Sequence, residues 1–289
     1  MASPIDLRCS NFDVSQLRDI SYQCGKELTC FFQNIVADNE TQFVYPPDRY
    51  QLSYKCIGFF NSTVHQLPID IFQHYPNAEI LYAANLGLKT LSRALFENAN
   101  RLVDVHLEGN NLTGLDEFLF HGAVNLRRIV LSNNQITTMG KDTFKKMIVK
   151  SLNAFDNPYQ RKLEEIDLSN NQLMDLEYET FSQLNSLKIL LLAHNNIKLK
   201  FGLFPVLLKK LDLSYNQLRD FTLRQLINSQ MLEELKLNGN FFENASIEYI
   251  FPEAIFQLMH IYRFELSDCF TCMHLADIFS KQLEQKVDN

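Results

Sequence analysis

The stretch L-R-R-I-V-L-S-N-N-Q-I, Leu126 to Ile136, follows the template L-x-x-L-x-L-x-x-N-x-L, and L-V-D-V-H-L-E-G-N-N-L, Leu102 to Leu112, follows it one copy upstream. The frame recurs at Leu163 to Leu173, Leu187 to Ile197, Leu208 to Leu218 and Leu232 to Phe242, each with Asn at the ninth place. Six close matches in one frame are too many for chance. Weaker copies run from Tyr54 to Val64, Ala78 to Leu88 and Ile261 to Thr271, with Ser62, Leu86 and Cys269 where Asn is expected. The dominant step is 24 residues, and Phe72, Phe96, Phe120, Phe144 and Phe181 each fall ten residues after a ninth place.

Within x-L-x-L-x the chain is a short strand, so alternate side chains point to opposite sides. The apolar fourth and sixth places enter a core, and places three, five and seven face outward. Strands spaced by one period stack in parallel, and a buried Asn amide satisfies backbone groups where each coil turns away. The expected fold is therefore an α/β leucine-rich-repeat solenoid, or horseshoe, with a parallel concave β-sheet, an irregular or helical convex side and disulfide-stapled caps. Residues 1–53 read as an N-terminal cysteine-containing cap. Residues 54–267 read as about nine repeats with an insertion around 147–162, where one step lengthens to 37 residues. Residues 268–289 read as a C-terminal capping helix, because Leu275, Ile278, Phe279 and Leu283 have helical spacing.

The six cysteines cluster at the two ends, Cys9, Cys24, Cys30 and Cys56 in one group and Cys269 and Cys272 in the other. Such clustering points to an oxidising compartment. Proximity in the chain pairs Cys24 with Cys30 first and leaves Cys9 for Cys56, among fifteen connectivities that six cysteines allow. Cys269 and Cys272 with His274 give too few ligands for zinc. Four Asn-x-Ser/Thr sequons, at Asn39, Asn61, Asn111 and Asn244, are glycosylation candidates.

Net charge is -7 and no basic run stands out, so nucleic acid and anionic membrane are poor partners. No apolar stretch approaches the roughly 20 residues of a membrane span. Asp6, Arg8, Asp13, Arg18 and Asp19 interrupt any signal-peptide core, so an extracellular, secreted chain is expected here without its leader. Motifs of phosphate loops, zinc proteases and serine hydrolases are all missing, and neither a catalytic residue, a cofactor site nor a metal site is expected. What remains is binding on the concave face. In chain order its candidate residues are Phe60, Ile80, Tyr82, Asp104, His106, Glu108, Arg128, Val130, Glu165 and Asp167, then Ile189, Leu191, Lys210, Asp212, Glu234, Lys236, Arg263 and Glu265. Ile80, Ile189 and Leu191 read equally as strand packing. His106, between Asp104 and Glu108, reads either as a solvated residue or as a pH-sensitive contact.

The C-G-K-E-L-T-C stretch from Cys24 to Cys30, the F-F-N-S-T-V-H-Q-L-P stretch from Phe59 to Pro68, and D-C-F-T-C-M-H-L-A-D-I-F from Asp268 resemble the caps and first coil of secreted leucine-rich-repeat immune proteins of mosquitoes. More loosely, the layout resembles Toll-type ectodomains. The mosquito resemblance implies a haemolymph location, binding to complement-like thioester proteins or to another leucine-rich-repeat chain, and dimerisation through a later coiled coil that this sequence does not contain. The expected function is a non-catalytic extracellular protein-binding scaffold in innate immunity. The alternatives are the ectodomain of a leucine-rich-repeat receptor or adhesion protein, and a cytosolic leucine-rich-repeat regulator.

Overall fold

A computed structural model describes residues 4–10, 29–48, 50–144, 163–176, 180–198, 204–219, 226, 228–242 and 263–265. The chain divides into two compact units, Met1–Leu163 and Glu164–Asn289. The predicted insertion at 147–162 and capping helix at 268–289 lie outside the described residues, as do Cys24, Cys269, Cys272 and Asn244.

In the first unit the elements are β1 (Ile5–Asp6), β2 (Thr29–Gln33), β3 (Val36–Ala37), β4 (Phe43–Val44), β5 (Cys56–Phe60), β6 (Thr63–Val64), α1 (Ile71–His74), β7 (Ile80–Tyr82), α2 (Arg93–Phe96), β8 (Asp104–His106), β9 (Gly114–Leu115), β10 (Arg128–Val130) and β11 (Thr138–Met139). Strands β2, β5, β7, β8 and β10 lie side by side in that order, all parallel. Short pairs β1–β4, β3–β6 and β9–β11 border them. The second unit contains β12 (Glu165–Asp167), β13 (Ile189–Leu191), β14 (Lys210–Asp212), β15 (Glu234–Lys236) and β16 (Arg263–Glu265), again parallel and in chain order. The weak copies at Tyr54, Ala78 and Ile261 thus each contribute a strand in register with the strong ones. The parallel ladder also starts earlier than residue 54, because β2 pairs residue for residue with β5.

The cause of this stacking is the inward row. Leu102, Val105, Leu107 and Leu112 are fully buried, and so are Leu187, Leu190, Leu192 and Ile197 at the same places in the second unit. Each such side chain contributes roughly 1.5–3 kcal/mol by leaving water. Behind the strands Phe72, Phe96 and Phe120 are buried, with ring centroids 6.4 and 4.9 Å apart, and Phe144 continues the spine at 5.9 Å. Phe181 fills the same place in the second unit. Among the described residues two single-turn helices stand on this side in the first unit, and Ser92 caps α2 by accepting from the Ala94 N–H.

The ninth-place residues Asn110, Asn134, Asn195, Asn216 and Asn240 each join their own coil to the one before. Asn134 donates to the Leu131 and Leu107 carbonyls, both at 3.0 Å, and accepts from the Leu112 N–H. Asn216 donates to Leu213 and Leu192 and accepts from Ile197. Ser62 does a smaller version of the same work, accepting from Ile35 and donating to the Phe60 carbonyl. The residue before the ladder place is left-handed in every described coil. Asn34, Asn61, Asn85, Asn133 and Asn170, together with Gly109 and Gly239, are the residues that tolerate positive φ, whereas His194 and Tyr215 hold it with bulky rings.

The disulfide order differs from the expected one. Cys9 is bonded to Cys30, not to Cys56, so Cys30 is not the partner of Cys24. Ser10 bridges antiparallel to Phe31, and that contact brings Cys9 beside β2 with its Cα 4.7 Å from that of Cys30. Closeness in sequence carried less weight than this strand alignment. Cys56 is disulfide-bonded as well.

Candidate functional site

Parallel register sorts the outward side chains into rows. In the first unit one row runs Thr29, Cys56, Ile80, Asp104, Arg128, and the next runs Phe31, Gly58, Tyr82, His106, Val130. The repeat frame points Ile80, Tyr82, Asp104, His106, Arg128 and Val130 of these rows outward, but the structure closes much of this face. Ile80, Asp104, His106 and Val130 are buried. Phe31, Cys56 and Ile80 form a small core of their own, with Phe60 and Tyr82 packed against it. Gly58 makes this closure feasible: a Cβ there would come 2.4 Å from the Tyr82 carbonyl and 2.9 Å from the Phe31 ring. The missing side chain lets the Phe31 and Tyr82 rings approach, with centroids 6.2 Å apart, and Tyr82 leans on His106 at 5.8 Å.

His106 is therefore neither solvated nor a free contact. Its Nε2 lies 3.3 Å from Asp104 Oδ1 and its Nδ1 lies 3.7 Å from Glu108 Oε1, while Arg128 Nη1 stands 3.9 Å from Asp104 Oδ2. Burial opposes charge on the ring, but the nearby carboxylates of Asp104 and then Glu108 outweigh it and push the imidazole up to about 9. At neutral pH the ring is an imidazolium held between two carboxylates, so it does not switch in the mildly acidic range. Glu108 and Arg128 keep partial exposure.

The second unit keeps the alternation the sequence implies. Glu165, Asp167, Ile189, Leu191, Lys210, Asp212, Glu234 and Lys236 are all half-exposed while the residues between them are buried. Arg263 is exposed and Glu265 half-exposed. Cross-strand ion pairs link Lys210 to Glu234 at 3.3 Å and Lys236 to Glu265 at 3.2 Å, and Arg263 also meets Glu265. These neighbours hold the Glu265 carboxyl below the usual carboxylate range, against the opposing effect of burial. Asp167 and Asp212 each accept through Oδ1 from the N–H and hydroxyl of the serine two residues on, Ser169 and Ser214. That pins both carboxylates to the edge of the sheet.

Three exposed aromatic residues at this edge escape the outward-place count. His194 and Tyr215 stack with centroids 4.4 Å apart and ring planes 10° from parallel, and Phe241 is 60% exposed. For His194 and Tyr215 the legible signal was their departure from the Asn or Gly that fills the eighth place elsewhere. Among the sequons, Asn39, Asn61 and Asn111 are exposed.

The leucine-rich-repeat family model matches residues 100–158 and 159–198. Keratocan of Bos taurus is 30% identical over 200 residues, an alignment that covers 64% of this chain and 53% of keratocan. The chain thus spans about half the length of that relative. Among solved structures, the LRIM1/APL1C complex matches with a TM-score of 0.57 at 18% identity, over 92% of this chain and 51% of that one. The Toll–Spatzle complex of Drosophila matches with a TM-score of 0.58 at 22% identity, over 75% of this chain and 29% of that one. Repeats in one frame, a ladder of bridging asparagines and these likenesses together give the chain the leucine-rich-repeat fold, and the family's model is matched over residues 100–198.

Proposed function

We propose that this chain is a non-catalytic extracellular scaffold that binds a protein partner on the outward face of its parallel sheet. The observation that carries this reading is the half-exposed row of β12 to β15, where Ile189 and Leu191 sit among charged residues. Mixed apolar and charged surface on rigid strands suits a protein interface. The Cys9–Cys30 disulfide, the oxidised Cys56 and the exposed sequons support an extracellular location. The finer reading is a secreted innate-immunity protein that engages a complement-like thioester protein or another leucine-rich-repeat chain, with dimerisation. Its support is the cap motifs and the fold likeness to the LRIM1/APL1C complex. A receptor ectodomain is the second reading, favoured by the fold likeness to the Toll–Spatzle complex.

The test is capture from the source fluid on immobilised chain. A protein retained by the wild type and lost with Leu191→Arg supports the scaffold. Retention of carbohydrate or lipid alone overturns it.

A further inference from the structure

On the outward face of the second unit, chemical character changes from strand to strand and not along each strand. β12 offers Glu165 and Asp167, β13 offers Ile189 and Leu191, and β14 offers Lys210 and Asp212, all half-exposed. Parallel register aligns them in two rows, one running Glu165, Ile189, Lys210 and the other Asp167, Leu191, Asp212. An apolar strand thus lies between two charged ones, and the pattern steps at the spacing of the strands, about 4.8 Å.

Charge on this patch is one-sided. Lys210 is turned to Glu234 of the next strand, at 3.3 Å, so its charge is already met within the face. Among the described residues Asp167 and Asp212 bond to serine and meet no cation. Each is fixed through Oδ1 by the N–H and hydroxyl of Ser169 or Ser214, which removes side-chain freedom that a binding carboxylate otherwise loses on contact. Two fixed carboxylates therefore flank a half-exposed leucine, two strand spacings or about 10 Å apart. Acid on both sides of an apolar stripe calls for a partner whose own apolar stripe lies between cations.

The spacing selects the shape of that partner. An extended segment laid along a strand meets one chemical type, acid on β12 or apolar on β13. Laid across the strands, it presents same-side residues about 6.6 Å apart and is out of step by the third strand. An α-helix rises about 5.4 Å per turn, so one turn falls on each strand, and its residues i and i+7 are about 10.5 Å apart. Residues i+3 and i+4 lie on the same face between them. We propose that the outward face of β12 to β14 docks a basic amphipathic helix of a partner protein, lying across the strands, with Lys or Arg at i and i+7 over Asp167 and Asp212 and apolar residues at i+3 and i+4 over Leu191 and Ile189. Ile189 and Leu191 complete their burial under the helix, and the two carboxylates set its register. The inference rests on the protein-binding reading and adds the shape and charge of the partner segment.

The test uses the full chain and a fluorescein-labelled, alanine-rich helical peptide of about 18 residues, with Arg at i and i+7 and Leu at i+3 and i+4, read by fluorescence anisotropy. Three comparators keep the length: an isomer of the same composition with both arginines on the opposite face, a version with Glu for Arg, and a version with a central Pro that breaks the helix. The probe is expected to bind about ten-fold more tightly than the isomer and the Pro version, and the Glu version is expected not to bind. Asp167→Asn and Asp212→Asn keep an oxygen for their serines and should melt like the wild type, and each should weaken the probe about three-fold. Leu191→Ser should weaken it about ten-fold. Asp116→Asn, an exposed acid of the first unit, should change nothing. Equal affinity for the isomer, or equal weakening by Asp116→Asn and Asp212→Asn, would assign the binding to general charge attraction and overturn the site. Equal affinity for the Pro version, or wild-type affinity in both aspartate variants, would overturn it too. The scaffold reading has its own capture test: a captured protein that is lost with Leu191→Arg but not displaced by the probe keeps that reading and removes this one.

Discussion

The outward faces of the two units come from one repeat frame and end in different states. In the first unit the outward row is filled by Phe31, Ile80, Tyr82 and the Asp104–His106–Arg128 charges, and it is largely closed. In the second unit the same places hold Glu165, Lys210, Asp212, Glu234 and Lys236, and the face stays half-open. The difference is one of lateral partners. Large rings on neighbouring parallel strands, about 4.8 Å apart, cover one another and whatever stands between them. Long charged side chains pair across strands with their ends in water. A solenoid can therefore use one stretch of its outward face as secondary core and reserve another for recognition.

Asp104→Ala should make the largest difference between the faces. It leaves the buried His106 imidazolium and Arg128 without their shared carboxylate, and loss of one member of a buried charge cluster costs roughly 3 kcal/mol. Asp212→Ala, at the place on the open face that His106 holds on the closed one, gives up hydrogen bonds to Ser214 worth about 1 kcal/mol. Urea denaturation of both variants measures the gap. Equal losses would mean that the first face is no more closed than the second.

The pH dependence sharpens the same contrast. His106 titrates near 9 in the folded chain and near 6.5 when unfolded, so the folded state binds this proton more strongly. Its contribution is complete below about 6.5, declines as pH rises through 9, and amounts to at most about 3 kcal/mol. Thermal melts between pH 6 and 9.5 should show that decline, and His106→Gln should flatten it. A decline of the same size in the variant would place its origin elsewhere.

Gly58→Ala should cost about 1–3 kcal/mol, because its Cβ meets the Tyr82 backbone and the Phe31 ring with no room to yield. Gly239→Ala strains a positive φ but meets only the exposed Tyr215 ring, so about 1 kcal/mol is expected. Differential scanning calorimetry separates the two. The smallest effect belongs to His194→Asn and Tyr215→Asn, for which no fall in melting temperature is expected, since Asn suits left-handed backbone better than either ring. A drop of several degrees would show that the stacked rings stabilise the fold by more than the strain they impose on the backbone.

Much of the fold was readable in the residues. The ninth-place asparagines, the inward leucines and the Phe spine follow from local periodicity, and each occupies the place its spacing assigns. The strand at Thr29–Gln33 was less legible, because Ile35 stands where its ladder Asn would be and Glu27 where its first leucine would be. Of the outward residues, Glu165, Asp167, Lys210, Asp212, Glu234 and Lys236 are half-exposed, whereas Asp104 and His106 are buried, a difference the repeat frame does not carry. The stacked pair of His194 and Tyr215 was signalled only as an anomaly at the eighth place.

The sequence alone determined that coils form, how far apart they lie, which side chains point inward and which amides join them. Those properties depend on a period of two within a strand and about 24 along the chain. Which outward residues see water, and which thiols meet, was decided only when the coils stacked. Phe31 reaches Tyr82 across Gly58, and Cys9 reaches Cys30 through the Ser10–Phe31 bridge, by contacts between strands that no local pattern encodes.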